Sequence, residues 1–451
     1  MKNILVIGAG LSASTLIQYL LDHSDKYDWK VKVADIDEEL ARRKVNGSPN
    51  GSAIKFDAFN GQQCREEVKK ADPVISMLPA KMHIIVAKEC IKQVTNMVTA
   101  SYVSPEVKAL DAEAKEAGVL LLNEIGVDPG IDHMSAMQLI DKIWDEGGEL
   151  FSFRSYTGGL VAPKYDNNPW NYKFTWAPKN VVLAGQGTAQ LIVKGKYKHI
   201  PYHKLFTRIQ RFNVLNYGEF EGYFNRNSLK YRSIYGLDNI STMVRGTLRR
   251  PGYSRTWNVL VQLGMTDDTY TLENSENMTY SDFTETFLRY KPDISVEDNL
   301  AEYVGVDAES AIMYRLRWLG LFDKNKKIGL KEATPAQILQ DLLEEKWHLD
   351  KDDKDMIVMQ HQFAYIREGK KERIISSMVV EGDDHVHTAM SKTVGLPVAI
   401  AAKLILEGKV GLTGVHIPTK KEIYQPVLKE LEEYGITFID EREAYEETLH
   451  Y

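Results

Sequence analysis

Residues 4–21 read ILVIGAGLSASTLIQYLL, and this stretch decides the fold of the chain. The apolar run at 4–7 predicts a buried strand, and apolar residues at 16, 17, 20 and 21 recur at helical spacing. Between them lies a Gly-x-Gly-x-x-Ala turn, in which Gly8 allows a tight turn, Gly10 lets the backbone approach a pyrophosphate, and Ala13 allows the helix to pack closely on the strand. The start of the helix offers unpaired N–H groups to phosphates. We therefore predict a dinucleotide site at this turn.

The second predicted strand, residues 30–34, ends in Asp35-Ile36-Asp37. A carboxylate at this position can accept hydrogen bonds from both ribose hydroxyls of the adenosine half, and it would repel a 2′-phosphate. The sequence therefore favours NAD over NADP. Arg42 and Arg43 keep NADP open as the alternative, and Asp35 could instead cap the helix that follows.

Further apolar runs at 53–56, 74–78, 97–101 and 119–122 alternate with helical stretches. Six strands joined in this way predict an α/β fold built on a Rossmann-type doubly wound parallel sheet. In such a sheet, the residues that follow the strands share one edge, where ligands bind. We expect the following residues at the edge that carries the glycine turn: Asp57, Met77, Leu78, Ser101 and Tyr102.

Residues 121–134, LLNEIGVDPGIDHM, provide the predicted chemistry of this edge. Pro129 lacks an N–H and Gly130 permits a turn, so the sixth strand ends here with Asp128 at its tip. Asn123, Glu124 and Asp128 are then expected to face a ligand, although Asp-Pro-Gly also occurs as an ordinary turn. Asp128 and Tyr102 are the candidate proton-shuttling groups.

Beyond residue 132 the regular alternation ends, and the patterns predict a mixed α+β domain with a small all-helical insert. Helical signals cover 134–146 and 281–350, with Ser295, Asp307 and Thr334 as helix starts. Strand-like segments cover 151–156, 191–193, 257–263, 355–363 and 373–380. An apolar helix at 389–406, broken at Gly395-Leu396-Pro397, and a short terminal helix are expected to return to the first domain. The predicted domains are 1–132 with 389–451 for the dinucleotide, 133–280 with 351–388 for substrate binding and dimerisation, and 281–350 for the insert.

Several cations in the middle of the chain could bind carboxylates. Lys173, Arg226 and the cluster Arg245-Gly246-Thr247-Leu248-Arg249 lie in contexts rich in Asn, Gly and aromatic residues. Arginine binds a carboxylate through two parallel hydrogen bonds, although any one of these cations could equally form a structural ion pair. His385, His387 and His361 lack a further ligand pattern, so we predict no metal site.

The composition is that of an ordinary globular protein, with 43% hydrophobic and 26% charged residues among 451. A net charge of −7 without a basic patch argues against a nucleic-acid partner. No apolar segment approaches the roughly 20 residues that span a membrane, so no membrane association is expected. Cys64 and Cys90 are the only cysteines, which is typical of a protein in a reducing setting. The first ten residues already predict a strand and a glycine turn rather than a signal peptide, so we expect a cytoplasmic location.

Several strings of rare residues, in order along nearly the whole chain, resemble the saccharopine reductase family, also called saccharopine dehydrogenases (glutamate-forming). They are Ser101-Tyr102-Val103-Ser104-Pro105, residues 123–133, Asn168-Pro169 with Tyr172-Lys173-Phe174 and Trp176, Val244-Arg245-Gly246-Thr247-Leu248-Arg249, Trp318-Leu319-Gly320 and Ala389-Met390-Ser391-Lys392. The family's three-domain plan is similar to the organisation predicted above.

The resemblance implies interconversion of saccharopine with glutamate and 2-aminoadipate 6-semialdehyde by a homodimer. The cofactor would then contact Gly8, Ala9, Gly10, Leu11, Ala13, Asp35, Ile36, Asp57, Met77, Leu78, Val127, Asp128, Pro129 and Trp176. The substrate would contact Ser101, Tyr102, Asp128, Lys173, Arg226, Thr247, Leu248 and Arg249. Hydride would leave the carbon next to the secondary amine for the nicotinamide, water would add to the resulting imine, and glutamate would depart. Asp128 or Tyr102 would move the protons. The alternatives are a carboxynorspermidine dehydrogenase-like enzyme and a catalytically inactive nucleotide-binding sensor.

Overall fold

The structure, a computed structural model, describes residues 1–184 and 186–445. Two compact units make up this part of the chain. The first comprises Met1–Leu150, Ile366–Lys370 and Met378–Asp440, and the second comprises Phe151–Tyr365, Lys371–Ser377 and the described part of 441–451. The end of the predicted segment 389–451, residues 446–451, lies outside the described residues. The three-domain boundaries stay a prediction.

The described residues form strands and helices with the following bounds. The strands are β1 (Lys2–Ile7), β2 (Trp29–Asp35), β3 (Gly51–Lys55), β4 (Pro73–Ser76), β5 (Asn96–Val98), β6 (Leu120–Leu122), β7 (Glu149–Val161), β8 (Ala189–Val193), β9 (Lys196–Ile200), β10 (Ile209–Asn213), β11 (Glu219–Phe224), β12 (Thr242–Arg249), β13 (Asp355–Arg367), β14 (Lys370–Glu381), β15 (Gly414–His416) and β16 (Ile439–Ala444). The helices are α1 (Ser14–Asp22), α2 (Ser24–Tyr27), α3 (Glu38–Val45), α4 (Gly61–Lys69), α5 (His83–Gln93), α6 (Pro105–Lys108), α7 (Asp111–Glu116), α8 (Ile131–Asp145), α9 (Pro178–Val182), α10 (Tyr202–Leu205), α11 (Tyr253–Leu263), α12 (Tyr280–Glu285), α13 (Val296–Val304), α14 (Ala311–Leu319), α15 (Pro335–Lys346), α16 (Ala389–Leu406) and α17 (Lys421–Leu431).

The first unit is built on a parallel sheet with the strand order β15-β6-β5-β4-β1-β2-β3. The chain extends the sheet from β1 to one side through β2 and β3, and then to the other side through β4, β5 and β6. This arrangement confirms the predicted α/β fold and doubly wound sheet. The strand order reverses between β1 and β4, which is the point where open α/β sheets bind ligands.

Part of the carboxyl-terminal segment, up to Asp440, belongs to this unit. Strand β15 pairs in parallel with β6, and α16 packs against α1. Gly395 of α16 makes this approach close, since a Cβ there would meet the backbone N of Leu16 at 2.9 Å. The predicted break at Gly395-Leu396-Pro397 is wrong, because α16 runs through Pro397 without interruption.

Helix α16 is also long and apolar enough to cross a membrane by length and composition alone, with 18 residues and a mean hydropathy of 1.5. The prediction that no apolar segment approaches spanning length is therefore wrong for residues 389–406. In the structure, 72% of this helix is buried within the protein. Buried core helices can have the same length and hydropathy, so these two properties of α16 are weak support for a membrane span.

A nine-stranded sheet lies mainly in the second unit, with the order β10-β11-β12-β7-β13-β14-β16; outside this order, β8 pairs with β12 and β9 pairs with β8. Strands β7 and β12 pair in parallel, whereas β10, β11 and β12 pair antiparallel. The sheet therefore contains both parallel and antiparallel pairs. Its strand β12 carries the candidate arginine cluster.

One strand prediction fails in this unit, because residues 257–263 belong to helix α11. Its aromatic and β-branched residues suggested a strand, but Tyr253, Trp257 and Leu260 are buried on one helical face. Gly252 and Gly264 bound the helix with positive φ values of 92° and 87°, which few other residues adopt. The helix is thus set by its glycine boundaries and by tertiary packing.

The helical signals between 281 and 350 are confirmed as α12 to α15. Ser295 and Thr334 cap α13 and α15 as predicted, and each side chain accepts a hydrogen bond from a backbone N–H three residues on. The predicted start at Asp307 is wrong, because Ser310 caps α14.

Candidate active site

The glycine turn follows β1 at the point where the strand order reverses. Gly8 has φ +105°, and a Cβ there would meet the backbone oxygen of Met77 at 2.7 Å, so the fold itself requires glycine. Gly10 differs, because a Cβ there would meet no protein atom within 4 Å. The packing of the protein does not explain Gly10, whereas close approach of a pyrophosphate does. The turn therefore fits a dinucleotide.

The carboxylate of Asp35 is engaged in holding this turn. Its Oδ2 accepts a hydrogen bond from Ala9 N at 2.7 Å, and its Oδ1 accepts one from Asp37 N at 3.0 Å. Asp37, rather than Asp35, caps α3 through bonds from two backbone N–H groups. Ile36 is largely exposed beside them. Asp35 thus links the ends of β1 and β2.

The other predicted residues of the first unit lie beyond the same ends of the parallel strands. Asp57 follows β3, Met77 and Leu78 follow β4, Ser101 and Tyr102 follow β5, and Val127, Asp128 and Pro129 follow β6. The hydroxyl of Tyr102 donates to Asp128 Oδ1 at 3.3 Å, and both side chains are partly exposed. The sheet therefore brings together the two groups predicted to move protons.

Glu124 and Asn123 are not available to a ligand, so that prediction is wrong for both. Each is 1% exposed. The carboxylate of Glu124 accepts from Val103 N at 3.0 Å and lies 3.0 Å from Nε2 of His133, and Asn123 donates to Leu121 O. Glu124 connects the segment that carries Tyr102 to the helix that follows Asp128. Sequence reasoning missed this role because Val103 and His133 approach Glu124 only in the folded chain.

Arg249 is the most unusual charged group of the second unit. Its residue is 3% exposed, and its guanidinium carbon lies 4.9, 5.2 and 5.9 Å from the ring centres of Tyr172, Tyr253 and Tyr223. Burial raises the pKa of the Tyr172 and Tyr253 hydroxyls, so these two phenols are neutral at ordinary pH. Among the described residues, no carboxylate pairs with Arg249, and its Nε has no hydrogen-bond partner.

A buried cation without an anionic partner is costly, and such a group is suited to bind a carboxylate from a ligand. Thr247 and Arg249 alternate along β12 with Leu248, whose fully buried side chain points to the opposite face of the strand. Arg226 is exposed on the turn after β11 and has φ +48°. The sequence identified the arginines but not the tyrosines around Arg249, which come from three separate segments.

Lys173 is equally buried, yet its charge is compensated within the protein. Its ammonium group lies 2.5 Å from Asp353 and 3.3 Å from Asp350. These contacts give Lys173 a structural ion pair, while its predicted contact with substrate stays a prediction. Trp176, which is partly exposed, follows in the same segment.

Within residues 1–184 and 186–445, no group of three or more His, Cys, Asp or Glu side chains is arranged to hold a metal ion.

Comparison with known proteins gives consistent matches over almost the whole chain. A family model for the saccharopine dehydrogenase NADP binding domain matches residues 4–122, and one for the saccharopine dehydrogenase C-terminal domain matches residues 126–436. The chain is 33% identical to saccharopine dehydrogenase (NADP(+), L-glutamate-forming) of Saccharomyces cerevisiae, covering 96% of this chain and 98% of that protein. The structure of apo saccharopine dehydrogenase (L-Glu forming) from the same organism superposes with a TM-score of 0.90 at 32% identity, covering 98% of this chain and 100% of that chain.

A second group of relatives is longer. The chain is 35% identical to mitochondrial alpha-aminoadipic semialdehyde synthase of Rattus norvegicus, covering 97% of this chain and 47% of that protein. The chain thus spans about half the length of this relative, whereas it spans nearly all of the fungal one.

The predicted preference for NAD is wrong. The matching amino-terminal model is an NADP binding domain, and the similar enzymes of Pyricularia oryzae, Saccharomyces cerevisiae and Schizosaccharomyces pombe are named as NADP(+) enzymes. The structure gives a physical reason why the inference failed. The inference gave the Asp35 carboxylate a ribose ligand as its reason for being there, but the structure shows another reason: Oδ2 accepts a hydrogen bond from Ala9 N of the glycine turn, and Oδ1 accepts one from Asp37 N.

Proposed function

Because the chain belongs to the saccharopine dehydrogenase family, we propose that it converts saccharopine, NADP and water to glutamate, 2-aminoadipate 6-semialdehyde and reduced NADP, or catalyses the reverse reaction, in lysine metabolism. The observation that carries the proposal is Arg249, a buried cation that has no carboxylate partner among the described residues. Saccharopine is a secondary amine with three carboxylates, so it can supply that partner. The named functions of relatives that match nearly the whole chain support this assignment.

NADP, when bound, supplies the hydride acceptor. Gly8, Ala9, Gly10 and Leu11 would bind it through the backbone at the start of the first helix, with residues 127–129 at the neighbouring strand end. Gly10 supports this role because its Cα has open space around it. Asp35 would act indirectly by holding Ala9 in place.

The residues of the protein then have separate tasks. Tyr102 and Asp128 share a hydrogen bond through which a proton can move to or from the substrate amine. Arg249 would bind one carboxylate, with Arg226 as the second cation. The predicted contacts of Ser101 and Thr247 would fix the orientation of the amino-acid backbone. Each of these contacts is a proposal that follows from the family and from residue type.

The test is a steady-state assay of the purified chain with saccharopine and each cofactor, in which the absorbance of reduced nicotinamide is followed. We expect turnover, with a higher kcat/KM for NADP than for NAD. Absence of turnover with either cofactor, at concentrations that saturate binding measured by calorimetry, would contradict the assignment. A homodimer and a cytoplasmic location remain predictions, to be measured by sedimentation and by cell fractionation.

A further inference from the structure

His83 connects two strand ends of the parallel sheet through hydrogen bonds to two serines. Its Nδ1 lies 2.8 Å from Ser76 Oγ, and its Nε2 lies 2.7 Å from Ser101 Oγ. Ser76 is the last residue of β4, His83 is the first residue of α5, and Ser101 follows β5. All three lie in the first unit, at the sheet edge that carries the glycine turn. No motif or spacing in the sequence selected His83.

His83 is a neutral imidazole. Burial lowers its pKa to about 4, and its place in the first turn of α5 also disfavours a positive charge. A neutral imidazole has one N–H donor and one acceptor nitrogen. His83 therefore donates a hydrogen bond to one serine and accepts one from the other.

The burial of Ser76 decides which serine is the donor. Ser76 is fully buried, and among the described residues His83 is the partner of its hydroxyl. If Nδ1 carried the proton, the hydroxyl proton of Ser76 would be buried without an acceptor, which is unfavourable. Ser76 therefore donates to Nδ1, and the proton of His83 lies on Nε2, from which it is donated to Ser101 Oγ.

Ser101 is only partly buried, and its oxygen is already occupied by the bond from His83. Its own hydroxyl proton is then directed away from His83 and can be donated to a second acceptor. We propose that His83 is a positioning residue, which fixes Ser101 as a hydrogen-bond donor to an oxygen atom of the bound amino-acid substrate, most directly a carboxylate. This inference rests on the proposed function, because it assigns the acceptor to the substrate.

Two substitutions separate this role from a purely structural one. His83→Gln keeps an N–H at the position of Nε2, whereas His83→Asn keeps an acceptor at the position of Nδ1 and loses the contact with Ser101. We expect His83→Asn to raise the KM for saccharopine about 10-fold, because a hydrogen bond to a charged group is no longer oriented. We expect His83→Gln to keep the KM of the wild type, and neither variant to change kcat or the KM for NADP.

Ser101→Ala provides the matched control. It should raise the KM for saccharopine by the same factor, and adding His83→Asn to Ser101→Ala should cause no further increase. The inference would be overturned if His83→Asn and His83→Gln raised the KM for saccharopine equally. It would also be overturned if the effects of His83→Asn and Ser101→Ala on that KM were fully additive, or if the KM for NADP changed in place of the KM for saccharopine.

The tautomer can be measured without turnover and without a variant that must fold. In the nitrogen-15 NMR spectrum of the unliganded protein at neutral pH, we expect His83 to carry its proton on Nε2. A proton on Nδ1, or on both nitrogens, would overturn the inference whether or not saccharopine is oxidised. If the Nε2 proton is found but saccharopine is not a substrate, the proposed function fails, and with it the assignment of the acceptor to saccharopine.

Discussion

Replacing Arg249 by methionine should remove catalytic efficiency while leaving the fold largely intact. A carboxylate held by two charge-assisted hydrogen bonds would lose about 3 kcal/mol of binding, which corresponds to a fall in kcat/KM for saccharopine of roughly 100-fold. The stability of the protein should change little. Loss of the contacts with the rings of Tyr172, Tyr223 and Tyr253, about 0.5–2 kcal/mol each, is offset because a buried and unpaired cation is removed.

Lys173 offers a matched buried cation whose charge is compensated. Lys173→Met leaves Asp353 buried without its partner, which should cost about 3–5 kcal/mol and lower Tm by roughly 10 °C. The assay combines thermal unfolding of both variants with steady-state kinetics on saccharopine.

The reasoning about Arg249 is refuted if Arg249→Met lowers Tm as much as Lys173→Met while the KM and kcat for saccharopine are unchanged. The carboxynorspermidine dehydrogenase-like alternative needs fewer carboxylate contacts. Unchanged turnover of its own substrate by Arg249→Met, together with no activity on saccharopine, would favour that alternative.

Three further predictions concern the first unit. Tyr102→Phe or Asp128→Asn should lower kcat about 100-fold or more and flatten the pH–rate profile, because each removes one side of the proton-moving pair. Gly8→Ala should abolish NADP binding and destabilise the unit, because Gly8 has φ +105° and the added Cβ would meet the backbone at 2.7 Å. Gly10→Ala should weaken NADP binding in calorimetry with little change in Tm, because the added Cβ would meet no protein atom within 4 Å. The folded-state pKa of His83, lowered to about 4, lies below its unfolded value. The contribution of neutral His83 to stability is therefore complete above about pH 6.5 and is lost as the pH falls through 4. Denaturant unfolding at several pH values should show that His83→Gln reduces this loss of stability in acid.

The first unit could be predicted because its signals are local. The glycine turn follows its strand directly, and the apolar runs that became β1 to β6 each stand in their own stretch of sequence. The ends of parallel strands meet at one edge by geometry alone, so Tyr102 and Asp128 could be placed near each other without coordinates. The substrate was predicted from the family resemblance, because hydrophobic periodicity carries no information about which substrate is bound.

The failures share a physical cause, which is that tertiary contacts override local preference. Helix α11 contains aromatic and β-branched residues that favour strands in isolation, yet it is held by burial of Tyr253 and Trp257. Asp35 has the position of a ribose ligand, but its Oδ2 accepts a hydrogen bond from Ala9 N of the glycine turn, a contact that the strand pattern alone does not indicate. The tyrosines around Arg249 and the serines around His83 come from separate segments, and only the folded chain shows that they meet.

The measurement that tests the central claim most directly is identification, by mass spectrometry, of the products formed from saccharopine and NADP by the purified chain. The account predicts glutamate and 2-aminoadipate 6-semialdehyde in equal amounts, with one NADP reduced for each saccharopine consumed. Release of lysine in place of glutamate, or reduction of NADP without cleavage of saccharopine, would contradict it.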